Sequence, residues 1–271
     1  MFDKTLAQKA AENLKRLREK KPLIHNITNY VVMNYTANAL LSCGASPVMA
    51  HAEEEVEEMV SLAGALVLNI GTLTPQWVGA MLRAGKKANA LKVPVVLDPV
   101  GSGATRLRTE SAMRLTRELS LGVVRGNASE VLSLGRKETR TKGVDSLHSV
   151  EEAEDTAIAL AKELKTALAI TGKVDLVTDG KRICRVHNGH EMMGNVTGTG
   201  CTATVIIGAF LAVDPDPVEA ATTALAYFGL AGEKAARQTK VPGSYQIALL
   251  DALFSIDGDQ LKEGARIEVI R

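Results

Sequence analysis

The run with the clearest chemical potential is Gly198-Thr199-Gly200-Cys201, which opens a helical pattern of small apolar residues through Val213. Glycines let a backbone approach an anion closely. The free N–H groups and the dipole at a helix N-terminus then favour negative charge. A phosphoryl group in transfer carries such charge, so the run reads as an anion hole. It reads equally as a tight turn before a packed helix. Cys201 falls in the first helical turn, where the dipole and any nearby cation lower a thiol pKa. A thiolate there could take the proton from a substrate hydroxyl as general base. Against this, a cysteine among Ala, Val and Ile is more often a small buried hydrophobe. Cys43 and Cys184 lack any glycine-rich context and read as structural.

Asp98 ends the apolar run VPVVLD. Ligands of open α/β sheets bind at the carboxyl ends of strands, and a carboxylate there can hold Mg²⁺ directly or through water. The competing reading is an Asx turn around Pro99. Arg125, Asn127 and Glu130 lie in RGNASEV, which reads as just past another strand. Arg125 could pair with phosphate oxygens, and Glu130 could place Mg²⁺ through water. Alternatively, Asn127 caps a helix and the charges are superficial. The five histidines form no H-E-x-x-H or other ligand pair and read as polar or core residues. Two nucleotide signatures are missing. No G-x-x-x-x-G-K-[ST] loop is present, and the G-x-G of Gly101 and Gly103 continues to Arg106 rather than to glycine.

These residues must be held by elements, and the elements alternate. Strand patterns at 22–28, 45–50, 65–71, 93–98, 122–124 and 167–172 are separated by helical ones at 30–42, 53–63, 74–91 and 151–165. A helix over 4–19 precedes them. Residues 136–149 read as an exposed polar connection. Residues 175–189 read as a hairpin turning at Asp179-Gly180, with helices near 217–238 and 244–256 and a last strand in GARIEVIR. Such alternation predicts an α/β fold with a mostly parallel central sheet flanked by helices. No linker-like segment divides the chain, so 1–271 is expected to form one domain.

Composition agrees. Of 271 residues, 46% are hydrophobic, 3% aromatic and 23% charged; small aliphatic residues suit a sheet covered on both faces. The net charge of +1 gives no broad attraction to nucleic acid or anionic membrane. Three widely spaced cysteines make neither a disulfide framework nor a zinc set and point to a reducing, cytoplasmic compartment. The charged N-terminus is not a signal peptide, and no apolar run is long enough to span a membrane.

Taken in order, PLIHNITNYVVMN, GASPVMAHAEEEVEEM, ALVLNIGTL, VVLDPVGSGATRLR, RGNASEV, ITGKVDLVTDG and NVTGTGCT resemble hydroxyethylthiazole kinase. The resemblance runs from about Pro22 past Gly243-Ser244. It implies a ribokinase-like fold and transfer from Mg²⁺-ATP to the primary hydroxyl of 4-methyl-5-(2-hydroxyethyl)thiazole, a step of thiamine salvage. It also implies a homotrimer with active sites between subunits. By the same resemblance Met49, Asn26 and Gly198 fall on the substrate side, Arg125 and Thr171 hold ATP, and Asp98 and Glu130 serve Mg²⁺ and phosphate. Cys201 stands where most ribokinase-like enzymes carry Asp, in agreement with the narrower family, which favours its role as base. Three rival readings are another small-alcohol kinase, an ATP-dependent dehydratase and a non-catalytic nucleotide-binding regulator. Met49 with Cys201 argues against the first and Cys201 alone against the second. Asp98, Glu130 and Cys201 together argue against the third.

Overall fold

The computed structural model describes residues 2–135 and 150–270; the connection expected over 136–149 lies outside them. Among the described residues nine strands form one sheet. They are β1 (Leu23–Ile27), β2 (Ser46–Val48), β3 (Ala65–Asn69), β4 (Val95–Asp98), β5 (Val123–Asn127), β6 (Ala167–Thr171), β7 (Asp175–Thr178), β8 (Ile183–Val186) and β9 (Ile267–Val269), in the spatial order β2-β1-β3-β4-β5-β6-β7-β8-β9. Strands β2 through β6 are parallel, and β7, β8 and β9 are added antiparallel. The expected hairpin and last strand are therefore present, and the sheet is mostly parallel.

Strand residues alternate between two cores, as the two-residue period of a strand requires. Ala65 and Val67 of β3 pack with one apolar layer, and Leu66 and Leu68 with the other. The first layer is supplied by α1 (Lys4–Lys20), α2 (Met33–Cys43), α8 (Thr199–Leu211), α9 (Pro217–Gln238), α10 (Pro242–Ser255) and α11 (Gly258–Gly264). The opposite face carries α3 (Val56–Ser61), α4 (Pro75–Leu91), α5 (Arg106–Glu118), α6 (Ala128–Leu132) and α7 (Val150–Leu164). Helix α8 is buried at every position from Thr202 to Leu211, which is why its sequence is apolar all round rather than striped. It lies over β3 and β4.

Some boundaries move for local reasons. Helix α2 starts at Met33 rather than near 30, because the Asn29 side chain accepts hydrogen bonds from the N–H groups of Val31 and Val32 and holds them in a turn. Helix α3 begins only at Val56, after the acidic residues 53–55. The short α11, capped by Asp257, had no separate signal in the sequence pattern. Arg125 lies inside β5, not beyond it.

Candidate active site

The site follows from the sheet. Parallel strands expose their carboxyl ends together, and Asn26 (β1), Asn69 (β3), Asp98 (β4), Arg125 (β5) and Thr171 (β6) stand at or near those ends. Asn69 and Asp98 are register partners, as are Asn127 and Thr171. The N-terminus of α8 comes down over this row. Thr204, one turn into α8, donates to Asp98 Oδ2 at 2.7 Å. Asn69 Nδ2 donates to the same oxygen at 3.1 Å, and Arg125 Nη1 lies 3.7 Å from it. Arg125 also donates to the Thr171 hydroxyl.

Two glycines are required where they stand. Gly198 caps α8 with φ +88°, and a Cβ there would lie 2.7 Å from Val32 Cγ1. A Cβ on Gly200 would lie 2.7 Å from Arg125 Nη1, so glycine lets the guanidinium sit against the helix end. The Gly198→Ala variant should therefore lose at least about 1–2 kcal/mol to left-handed backbone strain and displace the loop. We expect its kcat/KM to fall about tenfold or more, measured beside its melting temperature.

A cleft of about 910 Å³ opens on the Arg125 side, lined by Thr171, Lys173, His187, Met193, Gly200 and Phe228 among others. Its size is that of a pocket for a nucleotide-sized ligand. Strand order arranges three zones in a line. Met49 follows the edge strand β2 and Asn26 lies on β1; Cys201 and Asp98 stand over the centre; the cleft lies beyond β5. Asn26 Nδ2 donates to Ile24 O at 2.8 Å and reaches Val48 O at 3.5 Å, beside Met49. His51, stacked on Trp77 with ring centroids 4.2 Å apart, steadies the loop after Met49.

The thiol departs from expectation. The helix dipole was expected to depress the Cys201 pKa, but burial, followed by the nearby Asp98 charge, pushes it up to about 11. The hydrogen bonds offered by Asn69 and Asn29 and the charge of Arg125 oppose this without reversing it. Burial likewise pushes Asp98 up to about 6, against the pull of Arg125, Thr204 and Asn69. Cys43 and Cys184 are buried core residues, as expected.

The acidic residues divide. Asp98 Oδ1 is buried without a hydrogen-bond partner among the described residues, so one anionic oxygen is open to a cation. Glu130 is differently placed. Its Oε2 accepts from Asn127 N at 2.9 Å and its Oε1 from Gly101 N at 2.8 Å, while Asn127 Oδ1 accepts from Glu130 N at 2.9 Å. The Asn127 cap that RGNASEV also allowed is thus present, as part of a capping box, but Arg125 is buried rather than superficial, and Glu130 braces the Gly101 loop. Among the described residues no group of three acidic, His or Cys side chains gathers as a metal cage. Mg²⁺ in nucleotide sites characteristically keeps waters and takes one or two carboxylates plus phosphate, which the Asp98 oxygen fits.

Sequence reading missed Asn29, Asn69, Thr204 and Arg108. Arg108 donates to Ile70 O, Gly71 O and Val100 O, tying the loops after β3 and β4 together. Asn69 ends the strand ALVLN just as Asp98 ends VVLD, a parallel that could have flagged it.

Comparison with known proteins agrees with this architecture. The model of the hydroxyethylthiazole kinase family matches residues 14–259. A hydroxyethylthiazole kinase of Desulfotalea psychrophila is 62% identical over 96% of this chain and 95% of its own. One of Desulfosudis oleivorans is 54% identical over 100% and 99%. The solved structure of a hydroxyethylthiazole kinase from Pyrococcus horikoshii superposes with a TM-score of 0.90 at 47% identity, covering 97% of this chain and 99% of that one. A ribokinase-like superfamily protein from Enterococcus faecalis shares the fold with a TM-score of 0.63 at 14% identity, over 93% and 94%. The fold is that of the ribokinase-like class. Within that class, the chain belongs to the hydroxyethylthiazole kinase family, and it is a phosphotransferase. That membership implies phosphoryl transfer from ATP, usually with a divalent metal.

Proposed function

We propose that the chain transfers the γ-phosphoryl group of Mg²⁺-ATP to the primary hydroxyl of 4-methyl-5-(2-hydroxyethyl)thiazole, giving the monophosphate for thiamine salvage. One observation carries the reading. The Arg125 guanidinium and the positive end of the α8 dipole converge at Gly200. Two positive ends pressed together favour an anion between them and the cleft. The first N–H groups of α8, from Thr199 to Cys201, have no acceptor within their helix and would hold the transferring group.

The strand order supplies the direction. The triphosphate would lie along Arg125 and Thr171 in the cleft, and the alcohol on the Asn26 and Met49 side. The polarizable Met49 thioether suits a small aromatic ring. Cys201, between the two, would accept the hydroxyl proton. Mg²⁺ would be held at Asp98, with Glu130 reached through water, and would neutralise phosphate charge. Binding and placement by Arg125, Thr171 and the α8 end would supply most of the acceleration. The whole chain 1–271 would act as one kinase domain. Its free thiols suit the cytoplasm, and among the described residues no helix is long and apolar enough to cross a membrane.

A homotrimer with the alcohol site between subunits is part of this proposal. Val31 and Leu41 at α2 and Ile247 and Phe254 on α10 are 59–73% exposed, and Tyr35 Oη, donating to Gln246 O, joins the two helices. Such a paired apolar face suits a second copy of the chain. Light scattering should give three chain masses, and Ile247→Glu should lower that mass and weaken thiazole binding. A wild-type monomer with full turnover would remove the shared site. Substrate class is tested by turnover across a panel: the thiazole alcohol should exceed a pyrimidine alcohol and pyridoxal by about a hundredfold or more in kcat/KM. Equal turnover of all three would leave a general small-alcohol kinase.

A further inference from the structure

The row of polar side chains beneath α8 contains two residues that carry no charge and do not face the cleft. Asn29 is 4% exposed and Asn69 2% exposed. Asn29 Oδ1 accepts from Val31 N at 3.1 Å and Val32 N at 3.2 Å. These bonds fix which way its amide points, since a flipped amide would set N–H against N–H. Its Nδ2 must then face inward, where it donates to Asn69 Oδ1 at 2.8 Å and reaches Cys201 Sγ at 3.6 Å, a length suited to the large sulfur atom. Asn69 is fixed by the same logic. Its Oδ1 accepts from Gly71 N at 2.9 Å as well as from Asn29. Its Nδ2 therefore points to Asp98 Oδ2, at 3.1 Å.

The result is a one-way chain of donors: Asn29 to the sulfur and to Asn69, and Asn69 to Asp98. Each end of the chain is anchored by backbone N–H groups, so neither amide can rotate without leaving buried donors unpaired, at a cost of about 1–3 kcal/mol each. The sulfur is held as an acceptor, which leaves its own hydrogen aimed away from Asn29. The turn that Asn29 caps also carries Val32, the residue that abuts Gly198 at the head of α8.

We propose that Asn29 is a positioning residue for phosphoryl transfer, holding the Cys201 sulfur in fixed register with Asp98 through the side chain of Asn69. The inference rests on the kinase reading above. A buried donor to the sulfur favours the thiolate, the form of Cys201 able to take a proton, and holds it at one distance from the phosphoryl site, while Asn69 sets the carboxylate. An apolar side chain at either position would fill the space and do neither.

Asn29→Asp separates this role from a structural one. The aspartate keeps an oxygen for the N–H groups of Val31 and Val32 but replaces the inward donor with an acceptor. We expect kcat with the thiazole alcohol to fall about ten- to a hundredfold, since a mispositioned buried polar group costs this much, with the ATP KM changed less than about threefold. Iodoacetamide labelling of Cys201, followed by peptide mass spectrometry, should slow by about tenfold. The buried Cys43 and Cys184 report the fold in the same sample, and their labelling should not rise. Asn29→Ala, which removes the donor without adding charge, should move kcat and Cys201 labelling in the same direction. Wild-type kcat and Cys201 labelling in both variants would overturn the proposal. So would a loss of kcat accompanied by faster labelling of Cys43 and Cys184, which is the mark of a merely structural role. Should the wild-type chain phosphorylate no alcohol at all, the kinase reading fails, and the labelling comparison still decides whether Asn29 holds the sulfur.

Discussion

Replacing Cys201 by alanine is expected to lower kcat about ten- to a hundredfold, while the ATP KM stays within about threefold. The loss sits at the low end of what a general base supplies, because a loose phosphoryl-transfer transition state gains more from placement than from proton removal. Arg125, Thr171 and the α8 N–H groups remain in the variant, and with them the nucleotide site. The pH dependence follows from the sign of the thiol shift. Burial and Asp98 push Cys201 up to about 11, so its base form is scarce at neutral pH and grows as pH rises. Wild-type kcat should therefore climb between about pH 7 and 9, by up to tenfold per unit. Cys201→Asp should keep substantial activity with a flatter profile, since a carboxylate is already ionised there. Stopped-time assays over that range check all three curves. Wild-type turnover by Cys201→Ala would remove the base assignment.

Asp98→Asn is expected to be more damaging, with kcat falling about a hundredfold or more. The amide is isosteric and still accepts from Thr204 or Asn69, so the sheet end keeps its shape. What it loses is charge. Asp98 faces Arg125 across 3.7 Å, and its Oδ1 is buried without a hydrogen-bond partner among the described residues. Without that charge Arg125 sits unpaired against the helix end, and the proposed Mg²⁺ loses its one anionic protein oxygen. The Mg²⁺ concentration for half-maximal turnover should rise about tenfold, read from a titration at fixed ATP. An unchanged titration with unchanged kcat would assign Asp98 to the architecture alone.

The contrast between these two residues shows what the sequence could and could not disclose. Asp98 and Arg125 were legible in position because strand ends are readable from apolar runs, and parallel sheets gather ligands at their carboxyl ends; Thr171 came only from the family resemblance. Gly198 and Gly200 were legible because the loop precedes a helical pattern. The sign of the Cys201 shift was not, since it depends on how deeply α8 is packed and on Asp98, over a hundred positions away in the chain. Asn29 and Asn69 were invisible for a related reason: an asparagine near a strand end is ordinary until its amide is seen to be locked by its neighbours. Glu130 was legible in position, but its hydrogen bonds were not. Both of its oxygens accept from backbone N–H groups. The α/β alternation fixed the order of elements well, while the start of α2 depended on the Asn29 turn.

The central claim is that the chain phosphorylates a thiazole alcohol across the α8 end. Its most direct test is ADP release from Mg²⁺-ATP with and without 4-methyl-5-(2-hydroxyethyl)thiazole, with mass analysis of the product. ADP release that depends on the thiazole, with a monophosphorylated product, is the predicted result. ATP bound but no thiazole-dependent ADP and no phosphorylated thiazole would contradict it.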